Sequence, residues 1–498
     1  MKKAMFIVAA PVGAVPKRLY AFDPKFLADQ TILSIENRPN MKGFRLRLIK
    51  HGWEEAEQGG VGIQFPSGPT GTEISRNFFA LLPDPTSRSL VSLLSTQGWQ
   101  SDGAGGINWI WGREGGSSYL PRRLVLEMEA VPAALDMLKD AGWEVQPAGC
   151  WLPGKGYSPY LPITPQEIIQ ETLACFGAGA AVVHLHTRDA SDEEIVRFRD
   201  GAVAARLCRQ DNLIDENQYD QIVPAVISKF PEAILNISTS VRGKGSDFDS
   251  PLRRAPLKRY EPTRRVPEIA SFSPGAVRFK AGGGYENRDD FLREQVNHFE
   301  ALGVRPEVEV FNKTILNNAV GAYAQTLRSC GEPVLFMLVA GVDQVGGDEV
   351  QGLHDDSLIK PAVRDHAAKC LASGDAQGTN WAKVLLVDEL RPVVSAIRQT
   401  HPESLISLLL PGPLQALVAD IAIALDLDGV RVGLEDALTV PDATLPGGVR
   451  KSIGSQEQVR RTYRLLQDRG VRVMNAKQLR ALLDPSELPA KQMLVAHL

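Results

Sequence analysis

The sequence predicts a (β/α)8 TIM barrel with a large α+β insertion between the first strand and the first helix. Three observations carry this prediction: eight short apolar segments, helical patterns between most of them, and a long glycine-rich stretch after the first segment. Strands that alternate with helices pair in parallel, and eight such units favour a closed barrel. An open doubly wound sheet is the alternative, although no G-x-G-x-x-G motif follows the first strand.

The elements follow one another regularly from about residue 160 onward. Thr164, Pro165 and Glu167 predict the start of the first helix, because they suit the N-cap, the first helical position and a capping box. The predicted strands cover residues 5–9, 180–184, 233–237, 269–273, 305–311, 333–339, 404–410 and 429–432. The later predicted helices cover residues 217–229, 289–302, 315–328, 382–400, 414–425, 456–468 and 476–483.

This pattern divides the chain into three stretches. Residues 1–18 hold the first barrel strand, residues 19–157 form the inserted α+β subdomain, and residues 158–498 complete the barrel and add C-terminal helices. An insertion after strand one emerges on the C-terminal rim, where barrel active sites lie. It either forms a lid or binding wall there, or serves structure or oligomerisation. A second, smaller insertion is predicted over residues 346–379.

Composition excludes several functional classes. The net charge is −4 over 498 residues, and there is no basic stripe for nucleic acid. No apolar run approaches the roughly 20 residues that a membrane helix needs. The five cysteines are scattered without a CxxC pair, which indicates free thiols in a reducing compartment. The apolar first ten residues read as a buried strand rather than a secretory signal, so we expect a cytoplasmic protein.

Two histidines follow the second predicted strand. In His184-Leu-His186 both imidazoles point to the same face, because side chains alternate along a strand. Two imidazoles on one rigid strand form half of a metal site. The alternative is a pair of hydrogen-bonded structural histidines, because the motif alone is weak evidence.

The eighth predicted strand supplies the matching carboxylate. Arg431, Gly433 and Glu435 share one face at its end, and the C-terminal ends of all barrel strands meet at one rim. Two histidines and one glutamate with an open position are the ligand set of a catalytic zinc. An internal ion pair between Arg431 and Glu435 is the structural alternative.

Several motifs, in this order, resemble those of the β-keto acid cleavage enzyme family. The motifs are Ile163-Thr-Pro-Gln-Glu167, Ala174-Cys-Phe-Gly-Ala-Gly179, His184-Leu-His-x-Arg188, Ile237-Ser-Thr239, Pro306-Glu-Val-Glu-Val310 and Arg431-x-Gly-x-Glu-Asp436. The resemblance covers roughly residues 4–16 and 158–484, with insertions. It implies a TIM barrel that binds a divalent metal, usually zinc, and condenses a β-keto acid with acetyl-CoA to give acetoacetate and a new acyl-CoA.

The resemblance also implies roles for individual residues. The implied metal ligands are His184, His186 and Glu435. The implied catalytic residues are Arg431 and Asp436, which start proton transfer, and Ser238, which hydrogen-bonds the substrate. The candidate substrate contacts are Ser238, Thr239 and Glu309. Glu309 lies near the rim, where it either orients a ligand or pairs with a lysine. No acyl-enzyme is needed, because the substrate's own carbon attacks the thioester.

Three positions depart from the family pattern. Val15 stands where the member with an amino substrate has an acidic residue, which argues against an amino substrate here. Ala276 stands where the family often has a hydroxyl group, and Pro411-Gly-Pro413 lacks the basic and aromatic residues expected near the cofactor. The insertion could supply these basic and aromatic side chains through Arg122, Arg123 or its tryptophans.

Two other functional classes stay open at this point. One is a zinc-dependent TIM-barrel lyase or amidohydrolase, although an amidohydrolase would place the histidine pair on the first strand. The other is a catalytically inactive metal-binding barrel. For the proposed enzyme we expect small-molecule partners, no nucleic acid, no membrane, and a homo-oligomer, either a dimer or a tetramer.

Overall fold

The chain forms two compact units in the computed structural model. Side chains are described for residues 4–12, 158, 160–188, 212–240, 251–280, 284–347, 352–442, 444 and 448–484, and strand backbones for parts of 19–153 and 193–208. The first unit comprises Met1–Val15, Tyr160–Asp189 and Asp211–Leu498, and the second comprises Pro16–Pro159 and Ala190–Gln210. None of the described helices is long and apolar enough to cross a membrane.

The first unit is a closed parallel barrel, which confirms the predicted (β/α)8 fold. Its eight strands are β1 (Ala4–Ala9), β2 (Val182–Leu185), β3 (Ile234–Ile237), β4 (Ile269–Phe272), β5 (Arg305–Val310), β6 (Leu335–Val339), β7 (Leu405–Leu409) and β8 (Gly429–Val432). Neighbours in this order pair in parallel, and β1 closes the ring by pairing with both β2 and β8. A short outer strand, β9 (Arg472–Met474), also pairs with β1. β9 is not among the predicted strands, because three residues are too few for an alternation signal.

Helices follow the strands and cover the barrel. They are α1 (Pro165–Gly177), α2 (Glu216–Lys229), α3 (Asp289–Leu302), α4 (Lys313–Val320), α5 (Ala324–Ser329), α6 (Pro361–Ala372), α7 (Ala376–Thr400), α8 (Val418–Ala424), α9 (Ser455–Asp468) and α10 (Ala476–Leu483). Two 3-10 helices cover Pro251–Arg254 and Gly412–Leu417. The helix α1 has the predicted capping box, in which Thr164 and Glu167 each bind the other's backbone N–H.

Helix boundaries differ from the sequence prediction in three places. The predicted helix 315–328 is split into α4 and α5 at Gly321, where a Cβ would lie 2.7 Å from the Asn317 carbonyl oxygen. The predicted helix 414–425 begins as a 3-10 turn. The predicted insertion 346–379 contains α6 and the start of α7, and Asp375 caps α7 by accepting from the Gly378 N–H.

The loops of the first unit contain short two-stranded antiparallel ribbons. They pair Thr187–Arg188 with Asn212–Leu213, Val277–Arg278 with Gly284–Tyr285, Val345–Gly346 with His354–Asp355, and Thr439–Pro441 with Val449–Lys451. The first ribbon brings Asn212 next to Arg188, in the chain that leaves β2.

The described strands of the second unit form antiparallel sheets, in contrast to the parallel barrel of the first unit. Its eight strands lie in the order Glu54–Glu55, Val61–Gln64, Ile32–Ile35, Glu193–Phe198, Val203–Cys208, Leu19–Phe22, Gly149–Pro153 and Glu144–Gln146. A smaller sheet contains Ser67–Gly68, Gly71–Ser75 and Arg123–Glu127. The hairpin 193–208 therefore pairs with strands of the inserted subdomain, although the predicted domain bounds place these residues in the barrel stretch 158–498. Val15 and Arg122, and the side chain of Arg123, lie outside the described residues.

The ladder registers decide which polar side chains enter the barrel. His184 lies opposite Asn236 on β3, Ser271 lies opposite Glu307 on β5, and Val8 lies opposite Arg431 on β8. Partners in a ladder point to the same side of a sheet. The polar residues of these pairs are all buried, so the barrel interior contains polar side chains.

Candidate metal centre and active site

The histidine pair forms one side of the candidate site. Nε2 of His184 and Nε2 of His186 lie 3.2 Å apart, and both side chains are buried. Two nitrogen atoms bound to one tetrahedral zinc at about 2.0–2.1 Å lie about 3.3 Å from each other. The pair is therefore spaced as two ligands of a single ion would be.

Glu435 supplies the third donor. Its Oε1 lies 3.5 Å from Nε2 of His186, and one donor atom from each of the three residues lies within 4.8 Å of the others. Its Oε2 is buried and has no hydrogen-bond partner within the described part of the chain. A buried carboxylate oxygen without a donor is unfavourable unless another group binds it. The residues present therefore fit a divalent cation in both donor set and spacing.

Glu435 reaches the histidines because the chain after β8 runs directly against the end of β1. The Ala10 N–H donates to the Val432 carbonyl at 3.0 Å, and the Glu435 N–H donates to the Ala10 carbonyl at 3.1 Å. Gly433 lies between these two bonds, and a Cβ on it would overlap the backbone of Ala10. Only glycine permits this close approach, so the Arg-x-Gly-x-Glu spacing is a packing requirement of the site.

Arg431 joins the carboxylates of the site. It donates to both oxygens of Asp436, from Nε at 3.2 Å and from an Nη atom at 3.1 Å. The same guanidinium lies 2.6 Å from Glu435 Oε1 and 3.7 Å from Glu309 Oε1. Three carboxylates thus surround one arginine in a buried position, which leaves an excess of negative charge that a divalent cation would offset.

The electrostatics favour the protonation states that metal binding requires. Burial, and then the charge of Arg431, lower the pKa of His184 well below its usual value, so its imidazole is neutral. Burial opposes ionisation of Glu435, but Arg431 and the histidines outweigh it and lower the pKa of Glu435 well below the usual range. Neutral imidazole and ionised carboxylate are the forms that bind a metal ion.

The pKa values of Asp436 and Arg431 are both raised. Burial raises the pKa of Asp436 in spite of its contact with Arg431, and the neighbouring Glu435 charge raises it further. The pKa of Arg431 is raised, because its three carboxylate neighbours outweigh the effect of burial. Arg431 therefore keeps its proton, and Asp436 is the group of this pair that can accept one.

The chain after β3 carries the predicted hydroxyl groups. Ser238 Oγ lies 2.8 Å from Ser240 Oγ, and both residues are buried. The Thr239 hydroxyl donates to the Ser271 carbonyl at 2.8 Å and accepts from Gln295 Nε2 at 2.9 Å. The Thr239 hydroxyl hydrogen is thus used within the protein, and the predicted contact of Thr239 with the substrate stays a prediction.

Glu309, a predicted substrate contact, lies beside the histidine pair. Glu309 Oε1 lies 3.9 Å from Nε2 of His184, so it faces both the histidine pair and Arg431. The backbone carbonyl of Ala276 accepts a hydrogen bond from Asn312 at 2.9 Å. The cysteines with described side chains, Cys175, Cys330 and Cys370, are free thiols.

Three polar residues that have no predicted role in the site lie next to the histidines. Asn212 Nδ2 lies 3.0 Å from Nδ1 of His186, and Asn236 Nδ2 donates to Glu307 Oε2 at 2.6 Å. Burial raises the pKa of Glu307 to about 7. The register of β2 with β3 could have indicated Asn236, whereas Asn212 gives no signal in the sequence.

Replacing Gly433 by alanine tests the packing of the site. The Gly433→Ala variant should lose about 1–3 kcal/mol of unfolding free energy, as overpacked sites do. It should also hold less metal, because the new methyl group displaces Glu435 from the histidines. Urea unfolding and metal analysis measure both effects.

The matched control for this prediction is Gly177→Ala at the end of α1. A Cβ on Gly177 would have nothing within 4 Å, so both stability and metal content should stay near those of the unchanged protein. A Gly433→Ala protein with unchanged stability and metal content would contradict the packing argument.

Comparison with known proteins agrees with the motif resemblance. The family model for beta-keto acid cleavage enzyme matches residues 144–382. The 3-keto-5-aminohexanoate cleavage enzyme of Fusobacterium nucleatum is 26% identical over 188 residues, which are 38% of this chain and 58% of that protein. The 3-dehydrocarnitine:acetyl-CoA trimethylamine transferase of Rhizobium meliloti is 27% identical over 212 residues, or 39% of this chain and 62% of that protein. The matches thus span roughly six tenths of the length of these curated relatives.

Solved structures match over a longer range. The ternary complex of ObcA with a C4-CoA adduct and oxalate is 41% identical, and the match covers 97% of this chain and 100% of that chain with a TM-score of 0.68. The binary complex of ObcA with oxaloacetate is also 41% identical, with a TM-score of 0.68 and coverage of 97% and 99%. Taken with the barrel and with the family match, these similarities establish that the chain belongs to the beta-keto acid cleavage enzyme family.

Proposed function

We propose that the protein is a metal-dependent acyltransferase that condenses a β-keto acid with acetyl-CoA to give acetoacetate and a new acyl-CoA. One observation carries the proposal: His184, His186 and Glu435 converge beside the Arg431–Asp436 pair. Names of relatives support the co-substrate, since 3-dehydrocarnitine:acetyl-CoA trimethylamine transferase and 3-oxoadipate:acetyl-CoA acetyltransferase both include acetyl-CoA.

His184, His186 and Glu435 would hold a divalent ion, for which the two imidazoles and one carboxylate favour zinc. When bound, this ion supplies Lewis acidity to the oxygen atoms of the keto acid. Glu309 lies near both His184 and Arg431, where its carboxylate would orient the substrate.

Asp436 is the proposed base of the reaction. It would take the proton from the carbon between the keto group and the carboxylate of the substrate, and Arg431 would fix its orientation through the two hydrogen bonds. The raised pKa of Asp436 suits this role, because a more basic carboxylate holds the proton better. Ser238 would hydrogen-bond the substrate carboxylate or the carbonyl under attack. Thr239 would position Ser238 and Ser240 through its contacts with Ser271 and Gln295.

The chemistry then proceeds without a covalent enzyme intermediate. The substrate carbanion attacks the thioester carbonyl of acetyl-CoA and releases the CoA thiolate. The thiolate attacks the original keto carbon, and the bond between that carbon and the neighbouring one breaks. The electron pair of the broken bond, with a returned proton, completes acetoacetate, while the acyl group stays on CoA.

Oxaloacetate is the first substrate to test. Its keto group lies β to a carboxylate, and it has no amino group, which agrees with Val15 at the position where an amino substrate would call for an acidic residue. ObcA, with 41% identity over 97% of this chain, has been solved with oxaloacetate. With acetyl-CoA, oxaloacetate would give acetoacetate and oxalyl-CoA. The homo-oligomer and the cytoplasmic location stay predictions from the sequence.

A substrate panel with a chelator control tests the proposal. Oxaloacetate, 3-oxoadipate and 3-dehydrocarnitine are each incubated with acetyl-CoA, and acetoacetate and new CoA esters are measured by mass spectrometry. We expect acetoacetate from at least one of them, with loss of turnover on chelation and recovery with zinc. Turnover that persists after complete metal removal would contradict the metal-dependent reaction, and no CoA ester from any keto acid would contradict the acyltransferase.

Asp436→Asn tests the proposed base. The amide keeps the shape and can still bind Arg431, but it cannot accept the substrate proton, so kcat should fall by roughly 10²–10⁴-fold. Zinc affinity should change little, because Asp436 is not among the three ligands. Asp468→Asn, a change of an exposed carboxylate on α9, is the matched control and should keep the kcat of the unchanged protein. An Asp436→Asn enzyme with nearly unchanged kcat would assign the proton transfer to another residue.

A further inference from the structure

The nitrogen atoms of the two histidines that face away from the ligand site differ in their surroundings. Nδ1 of His186 lies 3.0 Å from the Asn212 amide. Nδ1 of His184 is buried and has no hydrogen-bond partner within the described part of the chain. An imidazole that binds a metal through Nε2 carries its proton on Nδ1, and that proton normally needs an acceptor.

The nearest register partner of His184 offers such an acceptor. Asn236 lies opposite His184 in the parallel ladder of β2 and β3, and its side chain is fully buried. Oδ1 of Asn236 also lacks a hydrogen-bond partner among the described residues. One unused donor and one unused acceptor therefore belong to two residues that face the same side of adjacent strands.

Glu307 decides which end of the Asn236 amide is free. Asn236 Nδ2 donates to Glu307 Oε2 at 2.6 Å, and both side chains are buried. A carboxylate oxygen accepts hydrogen bonds, so it binds the NH2 end of an amide and leaves the oxygen end free. This contact turns Oδ1 away from Glu307 and leaves it as the atom that can accept from His184.

We propose that Glu307 and Asn236 form a positioning chain that fixes the proton of His184 on Nδ1 and so directs the lone pair of Nε2 at the metal. The proposal rests on the metal site of the proposed function and adds two residues to it. Asn212 would serve His186 in the same way, after a half-turn of its amide that presents oxygen in place of nitrogen. Glu307 and Asn236 touch neither substrate nor metal in this scheme, so both are positioning residues.

Another arrangement of the same side chains competes with this one. Donor atoms of His184, Glu307 and Glu309 also lie within 4.8 Å of one another, which would suit a second cation. However, Glu307 Oε2 is occupied by Asn236, and Glu309 Oε1 lies 3.7 Å from Arg431. The positioning chain uses these contacts as they stand, whereas a second ion would have to displace them.

Two measurements test the positioning chain. One is the zinc affinity, measured by competition with a chelator, and the other is the melting temperature of the metal-free protein. Asn236→Leu removes the acceptor, so zinc should bind roughly 10–100-fold more weakly, as is typical when the partner of a ligand histidine is lost. Glu307→Leu should lower the zinc affinity by a smaller factor. Glu307→Gln should keep the affinity of the unchanged protein, because the glutamine oxygen can still accept a hydrogen bond from Asn236. A purely structural role would lower the melting temperature of the metal-free protein without changing zinc affinity.

A double variant keeps the test valid if Asn236→Leu fails to fold. In Asn236→Asp with Glu307→Gln, the glutamine NH2 donates to the new carboxylate, which accepts from His184, so zinc affinity should stay high. The matched control is Asn287→Leu, since Asn287 is also buried with an unpartnered oxygen in the described chain but has no ligand histidine as its ladder partner.

The outcomes separate the positioning chain from the metal site itself. Zinc binding to Asn236→Leu as tight as to Asn287→Leu would overturn the chain and leave the site intact. Two zinc ions per chain, one of them lost in Glu307→Leu, would overturn it in favour of a second ion. An unchanged protein that binds no divalent cation would remove the metal site, and the positioning chain with it.

Discussion

The site depends on a charge imbalance around Arg431. Glu435 lies 2.6 Å, Asp436 3.1 Å and Glu309 3.7 Å from its guanidinium nitrogens, and water reaches less than a tenth of any of these side chains. Arg431 is shared among these three carboxyl groups in such a place, and uncompensated buried charge is strongly unfavourable. The histidines provide nitrogen donors beside the same carboxylate, since Nε2 of His186 lies 3.5 Å from Glu435 Oε1. A divalent cation at that point would bring the cluster close to neutrality and would explain why so many carboxylates are tolerated.

The barrel makes this cluster possible because it joins residues that are distant in sequence. The histidines come from the end of β2, Glu309 from β5, and the arginine with its neighbouring carboxylates from the end of β8. Parallel pairing brings these strand ends to one rim, and the Gly433 approach to Ala10 sets the last few ångströms. The strand ends and the short segments that follow them therefore hold the donors in place, since His186 and Glu435 come directly after β2 and β8.

The sequence predicted the barrel strands to within two residues at most ends, because each is a short apolar run between helices. It also predicted which polar residues gather at the rim, since His184, His186, Arg431 and Glu435 occupy strand ends with a period of two. It could not predict the hydrogen bonds of the Thr239 hydroxyl with Ser271 and Gln295, because these partners come from other parts of the chain. Nor could it place the hairpin 193–208 with the inserted strands, since that pairing is long-range and leaves no local pattern.

The convergence of His184, His186 and Glu435 on one ion is the claim on which the proposed function depends. Anomalous diffraction from crystals of the zinc-loaded protein, recorded on both sides of the zinc absorption edge, tests it most directly. The account predicts one peak at bonding distance, about 2.0–2.2 Å, from both Nε2 atoms and a Glu435 oxygen. A zinc peak elsewhere in the barrel, or none at these three residues, would contradict it.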